Sequence, residues 1–468
     1  MNKPKNMSPK TSLLKSAIII SLGGLIVKVL GAFYRIPLNN FLKAEGLGIY
    51  QAAFPVYLIL MTFTGSAATT TITKAISAGE NGERVLKKSL AVIVPAGIFG
   101  WLIMSLLAKP LSTMQGTPNA AAAYIALAPS LIFVSAISCF RGYFQGKNDM
   151  RPTAISQIIE QIVKLAVGTT LCFFFGNPPA KGSSLACFAV SAGELSATVY
   201  LVFLYKNKRE FIADDRGKYT FKRLIAGLIP VTLTTSVIPL SRLFDSFTVV
   251  NFMSGYTNNA TGLYGLYSGS VESIIGMPVA LCYGLSAAAI PAISSYFSKK
   301  DYENAKRNSV KAISYTLFLS AVSFASIALF SETVVNILFP KLTDDNKTIL
   351  NKLIDFAAID IVLLSLIQTE SSVLIAIDKP FLPSVSLFIG FTIKATAQLL
   401  LLKNPELNIF AVLYSDILCY LVAVFLNLVY IIYRFKKRKP NDETYTCGRG
   451  SEGRRPLFES LRRDKESR

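Results

Sequence analysis

Twelve apolar stretches separated by polar segments dominate this sequence. Each has about 20 residues or more, the length that a helix needs to cross about 30 Å of hydrocarbon. The pattern therefore predicts an all-α polytopic membrane protein with twelve transmembrane helices. The stretches lie at 13–34, 48–76, 86–108, 121–144, 153–175, 183–205, 223–252, 263–296, 310–331, 349–377, 381–402 and 408–433.

The two parts of the chain resemble each other. Gly48–Tyr50 opens the second stretch and Gly262–Tyr264 opens the eighth, each with a Gly, an aliphatic residue and a Tyr. The fifth and eleventh stretches share a Ser and a Lys at the same spacing, Ser156 with Lys164 and Ser386 with Lys394. These correspondences indicate a duplicated membrane unit.

Six stretches in each half is an even number, so both halves enter the membrane in the same orientation. They should be related by a parallel pseudo-twofold axis along the membrane normal, with a central cavity between them. We expect an N-terminal segment, a six-helix half, a linker, a second six-helix half and a basic, mostly disordered tail. Their predicted bounds are 1–12, 13–205, 206–222, 223–434 and 435–468.

The polar segments alternate between strongly and weakly basic. Lys and Arg concentrate in the N-terminus and in every second loop, and cytoplasmic loops carry this excess. The strongly basic segments include 3–15, 84–88, 141–151, 206–223 and 299–311. We therefore expect a multi-pass membrane protein with both termini in the cytoplasm.

Composition and charge exclude several classes of function. The 468 residues are 52% hydrophobic and carry a net charge of +20. Because most of the positive charge lies in the predicted cytoplasmic loops and tail, it argues against nucleic-acid binding. The chain has no histidine, which removes Ser-His-Asp and Cys-His catalysis. The sequence also lacks a phosphate loop of the Walker type. We expect no enzyme activity, cofactor or metal site.

Charged residues inside the apolar stretches are the best markers of a substrate path, because they are costly in lipid. We predict that the basic ones bind substrate: Lys28, Arg35, Lys164, Arg242 and Lys394. We assign the acidic ones to a coupling or charge network: Glu160, Asp245, Glu272 and Glu370. Spacing allows intrahelical pairs of Glu160 with Lys164 and of Arg242 with Asp245. Snorkelling to the interface is an alternative for Arg35, and helix-fixing ion pairs are an alternative for the others.

Several motifs together resemble a known family. They are the segment Phe140–Gly146 leading into Arg151–Thr153, and Met277-Pro278 followed by 284–294. With two six-span halves, the chain resembles the multidrug/oligosaccharidyl-lipid/polysaccharide flippase superfamily. It looks most like the polysaccharide-export branch that includes stage V sporulation protein B and is similar to MurJ-type lipid II flippases.

That resemblance implies a fold and a function. A central cationic cavity would bind the pyrophosphate of a lipid-linked saccharide, and Lys28 and Arg35 match the basic residues of the first span in position and charge. Many members of the branch have fourteen spans, and we expect the accessory helix pair to be absent here. The resemblance also implies a location in the bacterial plasma membrane. The partners implied are the lipid-linked saccharide, membrane lipids and cell-envelope synthesis enzymes, with the transporter itself monomeric.

The leading hypothesis is a flippase that moves an undecaprenyl-pyrophosphate-linked saccharide, either lipid II or a surface-polysaccharide repeat, to the outer leaflet by alternating access. Na⁺, H⁺ and the membrane potential are all left open as driving forces. The alternative is a cation-coupled multidrug exporter with Glu272 or Asp245 as its acidic site. A membrane glycosyltransferase and a scaffold for envelope enzymes are further alternatives. An excess of basic over acidic groups in the cavity would favour the flippase.

Overall fold

The computed structural model describes residues 9–208 and 219–437, and helices provide the regular structure of these ranges. The N-terminal helices are α1 Pro9–Thr62, α2 Ala68–Ser77, α3 Gly82–Leu106, α4 Ala108–Met114, α5 Ala121–Leu127, α6 Ser130–Gly146, α7 Arg151–Phe175 and α8 Pro179–Lys208. The C-terminal helices are α9 Phe221–Thr235, α10 Val237–Met253, α11 Ala260–Gly265, α12 Glu272–Ser298, α13 Tyr302–Leu338, α14 Asp344–Ala357, α15 Ile359–Ala376, α16 Leu382–Leu401 and α17 Phe410–Lys437.

This architecture confirms the all-α polytopic membrane class. Nine helical runs in the described ranges are long and apolar enough to cross a membrane, and the bent pair of α9 and α10 makes a tenth. The number twelve stays a prediction. The first and eighth predicted stretches are not among these runs, and part of each carries side chains that are not described. The predicted tail lies almost wholly outside the described residues, as does most of the predicted linker.

The described helices include a kink, π-helical segments and a bend. α1 is kinked at Lys43, whose φ is 56°, and it contains the first predicted stretch and about half of the second. The segments Phe63–Ala67 and Leu266–Val271 are π-helical. The axes of α9 and α10 differ by 54° around Ser236. Pro239 follows three residues later and has no N–H for the carbonyl one turn before it, which explains the bend.

The tenth predicted stretch, 349–377, is two helices rather than one. α14 is separate from α15, and its first turn carries Asp344 and Asp345. In the described part, the membrane-crossing run of this region is α15 alone. Apolar length did not reveal the boundary, because Ala357 and Ala358 interrupt no hydrophobic pattern.

The two repeated tripeptides meet at one end of the molecule. A Cβ atom on Gly48 would lie 2.0 Å from the carbonyl oxygen of Thr261, and one on Gly265 would lie 2.2 Å from that of Ala44. Only glycine permits such an approach. The Gln51 side chain donates to the Ser268 carbonyl at 2.7 Å in the same region. N-terminal and C-terminal helices are therefore tightly packed here, at what we name the closed end.

The opposite end, which we name the basic end, holds the turns around 78–81, 147–150 and 299–301. Here α9 contacts α2, α3 and the π-helical segment between α1 and α2. Arg223 forms an ion pair with Glu80, and Lys88 Nζ donates to the Tyr219 carbonyl at 2.6 Å. α9 is thus a C-terminal helix that packs against N-terminal helices.

Candidate functional site

A cavity of about 420 Å³ lies between the N-terminal and C-terminal helices. α1 and α7 form one wall, and α10, α12, α15 and α17 form the other with the π-helical segment before α12. Its basic and acidic lining residues are Arg35, Lys164, Arg242, Glu272, Asp360 and Asp416.

Arg35 and Lys164 are the basic residues of the N-terminal wall. Arg35 lies one turn after Gly31, which also lines the cavity, so this face of α1 points inward. Lys164 Nζ lies 4.9 Å from the centre of the Tyr34 ring. In the described ranges no acidic side chain lies within 4 Å of either cation. Arg35 therefore lines a cavity between helices, and its role in substrate binding stays a prediction.

Glu160 takes a different partner from the one its spacing suggests. Its carboxylate is 3.0 Å from an Arg141 Nη atom, and the Arg141 Nε donates to Ser156 at 3.0 Å. The intrahelical pair of Glu160 with Lys164 does not form. The reason is that α6 brings a guanidinium beside α7, which can contact Ser156 and Glu160 together. Lys164 therefore remains available to the cavity.

Arg242 and Glu272 form an ion pair in the C-terminal wall, and both line the cavity. The expected pair of Arg242 with Asp245 does not form, because α12 supplies an acid to Arg242 and α16 supplies a base to Asp245.

Lys394 is buried in an acidic cluster, with its side chain 2% exposed. Its Nζ donates to Asp245 Oδ2 at 2.7 Å and to Ser241 at 3.1 Å, and lies 2.6 Å from Asp416 Oδ1. Tyr267 donates to the other oxygen of Asp416. This cluster lines a second cavity of about 610 Å³, which shares Arg242, Tyr267 and Asp416 with the first.

Of the remaining predicted residues, one lies elsewhere and one has a side chain that is not described. Glu370 on α15 is fully buried and lines neither of these cavities. Among the described residues, neither of its carboxyl oxygens has a hydrogen-bond partner. Lys28 belongs to α1, but its side chain lies outside the described part of the chain. The functional roles assigned to all of these residues stay predictions.

Sequence reasoning missed several residues of the site. Asp360 and Asp416 were not among the predicted site residues, yet they are buried, with exposures of 6% and 4%. Asp416 lies six residues inside α17, and this depth was the available signal. Tyr267 and Tyr420 line both cavities, but nothing in their apolar surroundings distinguishes them.

Three acids and three bases line the first cavity, so the expected basic excess is absent from its lining. Across 9–208 and 219–437, no group of three or more His, Cys, Asp or Glu could hold a metal ion.

Comparisons with known proteins agree with this architecture. Residues 13–297 match the family model described as polysaccharide biosynthesis protein. Stage V sporulation protein B of Bacillus subtilis (strain 168) is 27% identical over 353 residues, which are 70% of this chain and 67% of that protein. Lipid II flippase MurJ of the same organism is 24% identical over 425 residues, covering 84% of this chain and 78% of that protein.

A solved structure shares the fold. The inward-facing conformation of a multidrug resistance MATE family transporter superposes with a TM-score of 0.67 at 13% identity, and covers 91% of this chain and 99% of that one. The family model covers well over half of the chain and agrees with both the curated relatives and the fold. The chain therefore belongs to the polysaccharide biosynthesis protein family of the multidrug/oligosaccharidyl-lipid/polysaccharide flippase superfamily, and is a multi-pass membrane transporter of that superfamily.

Proposed function

We propose that this protein is a flippase for a polyprenyl-pyrophosphate-linked saccharide, carried from the cytoplasmic to the outer leaflet of a bacterial plasma membrane. The observation that carries the proposal is the pair of cations, Arg35 and Lys164, that line the cavity with no acidic partner in the described ranges. An unpaired cation away from bulk water is costly, so an anionic ligand would stabilise both.

The charge balance of the cavity supports an anion. Two of its three acids already have basic partners, Glu272 with Arg242 and Asp416 with Lys394. Asp360 alone among these lining acids has no ion-pair partner in the described part. Two available cations against one available acid leave a net attraction for negative charge, although the lining residues balance in number.

The strength of the charge interaction suits a pyrophosphate ligand. A unit charge about 4 Å from a cation gains roughly 4 kcal/mol at an effective dielectric constant of 20. A diphosphate can approach both Arg35 and Lys164, and a guanidinium can bind its oxygens in a bidentate manner. The stabilisation would lower the barrier for moving a multiply charged headgroup across the low-dielectric interior. The saccharide needs no covalent change, so the proposed function is transport without catalysis.

The close backbone packing at the closed end supports alternating access, in which one end of the cavity is shut at a time. The Gly48–Gly265 contact seals the closed end, while the cavity lies between the two sets of helices. We propose that the basic end faces the cytoplasm, where the substrate would enter. A later rearrangement would open the closed end and let the headgroup leave.

A cation-coupled multidrug exporter is the second candidate. The C-terminal wall carries Asp360 and Glu272, and the fold is shared with a multidrug transporter. This function would use the acids to bind an organic cation, and Arg35 and Lys164 would oppose it. Drug resistance on expression that is lost in Glu272→Gln would favour this candidate.

Complementation of a bacterium depleted of its lipid II flippase tests the proposal. We expect the wild type to restore growth, and Arg35→Gln and Lys164→Gln each to lower headgroup translocation in proteoliposomes about tenfold or more. Lys109→Gln and Lys403→Gln remove exposed lysines outside the cavity and serve as matched controls. Full transport of lipid II and of other polyprenyl-pyrophosphate saccharides by an Arg35→Gln/Lys164→Gln double variant would overturn the proposed site.

A further inference from the structure

A third cavity lies at the basic end, away from the charged cluster. Its volume is about 510 Å³, and it is formed by the beginning of α13 and the end of α17. No residue that lines it also lines the two central cavities. We name it the α13/α17 groove.

The walls of the groove are apolar and lie along one face of each helix. On α13 the apolar lining residues are Tyr302, Val310 and Ile313, at spacings that place them on one helix face. On α17, Ile432 follows Ile431 and Phe435 completes the wall. Val310 is 55% exposed and Ile432 is 63% exposed, so no other described part of the chain covers this surface.

The mouth of the groove is basic. Lys300, Lys306 and Lys436 line it, all three are exposed, and none forms an ion pair within the described ranges. The segments 299–311 and 434–437 that form the mouth contain eight Lys or Arg residues and two acids.

One of those two acids, Asp301, already has hydrogen-bond partners within α13. The Asp301 carboxylate caps α13 by accepting from the Asn304 backbone N–H at 3.2 Å and from its side chain at 2.9 Å. These hydrogen bonds lower the pKa of the Asp301 carboxyl, so it stays ionised in its capping role. Glu303 is the remaining acid of the lining, which also contains three lysines.

Charged residues at the mouth of the groove and apolar residues deeper in it match the charged headgroup and apolar acyl chain of a phospholipid. Lys306 and Ile313 are separated by seven residues, or roughly 10 Å along α13. Lys306 is nearer the start of this membrane-crossing helix, so the charged mouth lies near the membrane surface and the apolar wall lies deeper. Long basic side chains near helix ends reach the headgroup region. A zwitterionic headgroup would gain little from three lysines, whereas an anionic one would gain about fivefold in affinity for each.

We propose that the α13/α17 groove is a binding site for an anionic phospholipid of the membrane leaflet at the basic end. The phosphate lies among Lys300, Lys306 and Lys436, and one acyl chain lies against Val310, Ile313 and Ile432. This site is separate from the substrate cavity, and the proposal does not depend on the identity of the transported molecule.

A lipid titration tests the site. Phosphatidylglycerol and phosphatidylcholine are added separately to the delipidated full-length protein, and bound lipids are counted by native mass spectrometry. We expect tighter binding of phosphatidylglycerol, and a loss of roughly 100-fold in Lys300→Gln/Lys306→Gln/Lys436→Gln. The matched control is Lys87→Gln/Lys206→Gln/Lys222→Gln, which removes the same charge from other exposed lysines. Equal losses in the two triple variants, or equal binding of the two lipids by the wild type, would overturn the proposal.

Photo-crosslinking identifies the occupant even if the charge variants fold poorly. Replacement of Ile432 by p-benzoyl-phenylalanine places a photoreactive group in the apolar wall, and adducts are identified after irradiation in vesicles containing both lipids. We expect a phosphatidylglycerol adduct in excess over its share of the vesicle. An adduct with the chain's own C-terminal segment, with a second copy of the chain, or with the two lipids in proportion to their abundance would contradict an anionic phospholipid site.

Discussion

Replacement of Lys394 by Met removes the only base that contacts the buried carboxylates of Asp245 and Asp416 within the described ranges. Methionine has a similar length and keeps most of the packing, so the main change is electrostatic. Breaking a buried ion pair by removing one partner costs about 3–5 kcal/mol. We expect the higher part of this range because one lysine here serves two acids, at 2.7 and 2.6 Å.

Thermal unfolding of the purified protein in detergent measures the loss. A cost of this size should lower Tm by roughly 4–5 °C in a chain of this length. Lys403→Met is the control, because Lys403 is exposed just beyond the end of α16 and its replacement should cost less than about 0.5 kcal/mol.

A compensating variant separates charge from shape. Asp245→Asn/Asp416→Asn in the Lys394→Met background removes the stranded negative charges, and we expect it to recover a large part of the lost Tm. If Lys394→Met unfolds at the temperature of the Lys403→Met control, the cluster does not hold the C-terminal helices together by charge. If the compensating changes lower Tm further, repulsion between the acids is not the cause of the loss.

Other contacts give smaller effects. Arg141→Gln should cost about 1–2 kcal/mol by thermal unfolding, because it removes charge-assisted hydrogen bonds between α6 and α7, whereas exposed Arg151→Gln should change little. Glu80→Gln should cost less than about 1 kcal/mol in the same assay, since its arginine partner is 62% exposed and water screens the pair. Gly48→Val should separate the helices at the closed end and raise the maleimide labelling rate of a cysteine at Gln51; an unchanged rate would refute the seal.

Much of the fold was accessible from apolar length alone. Stretches such as 153–175 and 381–402 became single helices, α7 and α16, with ends within two residues. Breaks were harder to place, because a turn in the membrane interior need not contain polar residues. The kink at Lys43 depends on one backbone conformation, and the division before α15 lies between two alanines.

Charged positions within apolar stretches led to much of the site, because the cost of burying charge does not depend on knowing the fold. Arg35, Lys164 and Arg242 do line one cavity. Their partners were not predictable, since spacing reveals neighbours on the same helix and the observed partners of Arg242 and Glu160 come from other helices. Tertiary packing decides between such partners, and a single sequence contains little information about it.

The position of α9 bears on how the chain can be divided. This helix follows the linker, yet it contacts α2 and α3 on the N-terminal side. If the gene were split within the linker and the two fragments were co-expressed, the second fragment would begin with a helix whose packing surface is on the first. Apolar burial along α9, including Leu224 and Leu228, would then hold the fragments together. Cutting after Ser236 would instead leave α9 with its neighbours, and would remove from the second fragment one of the helices that contact the first.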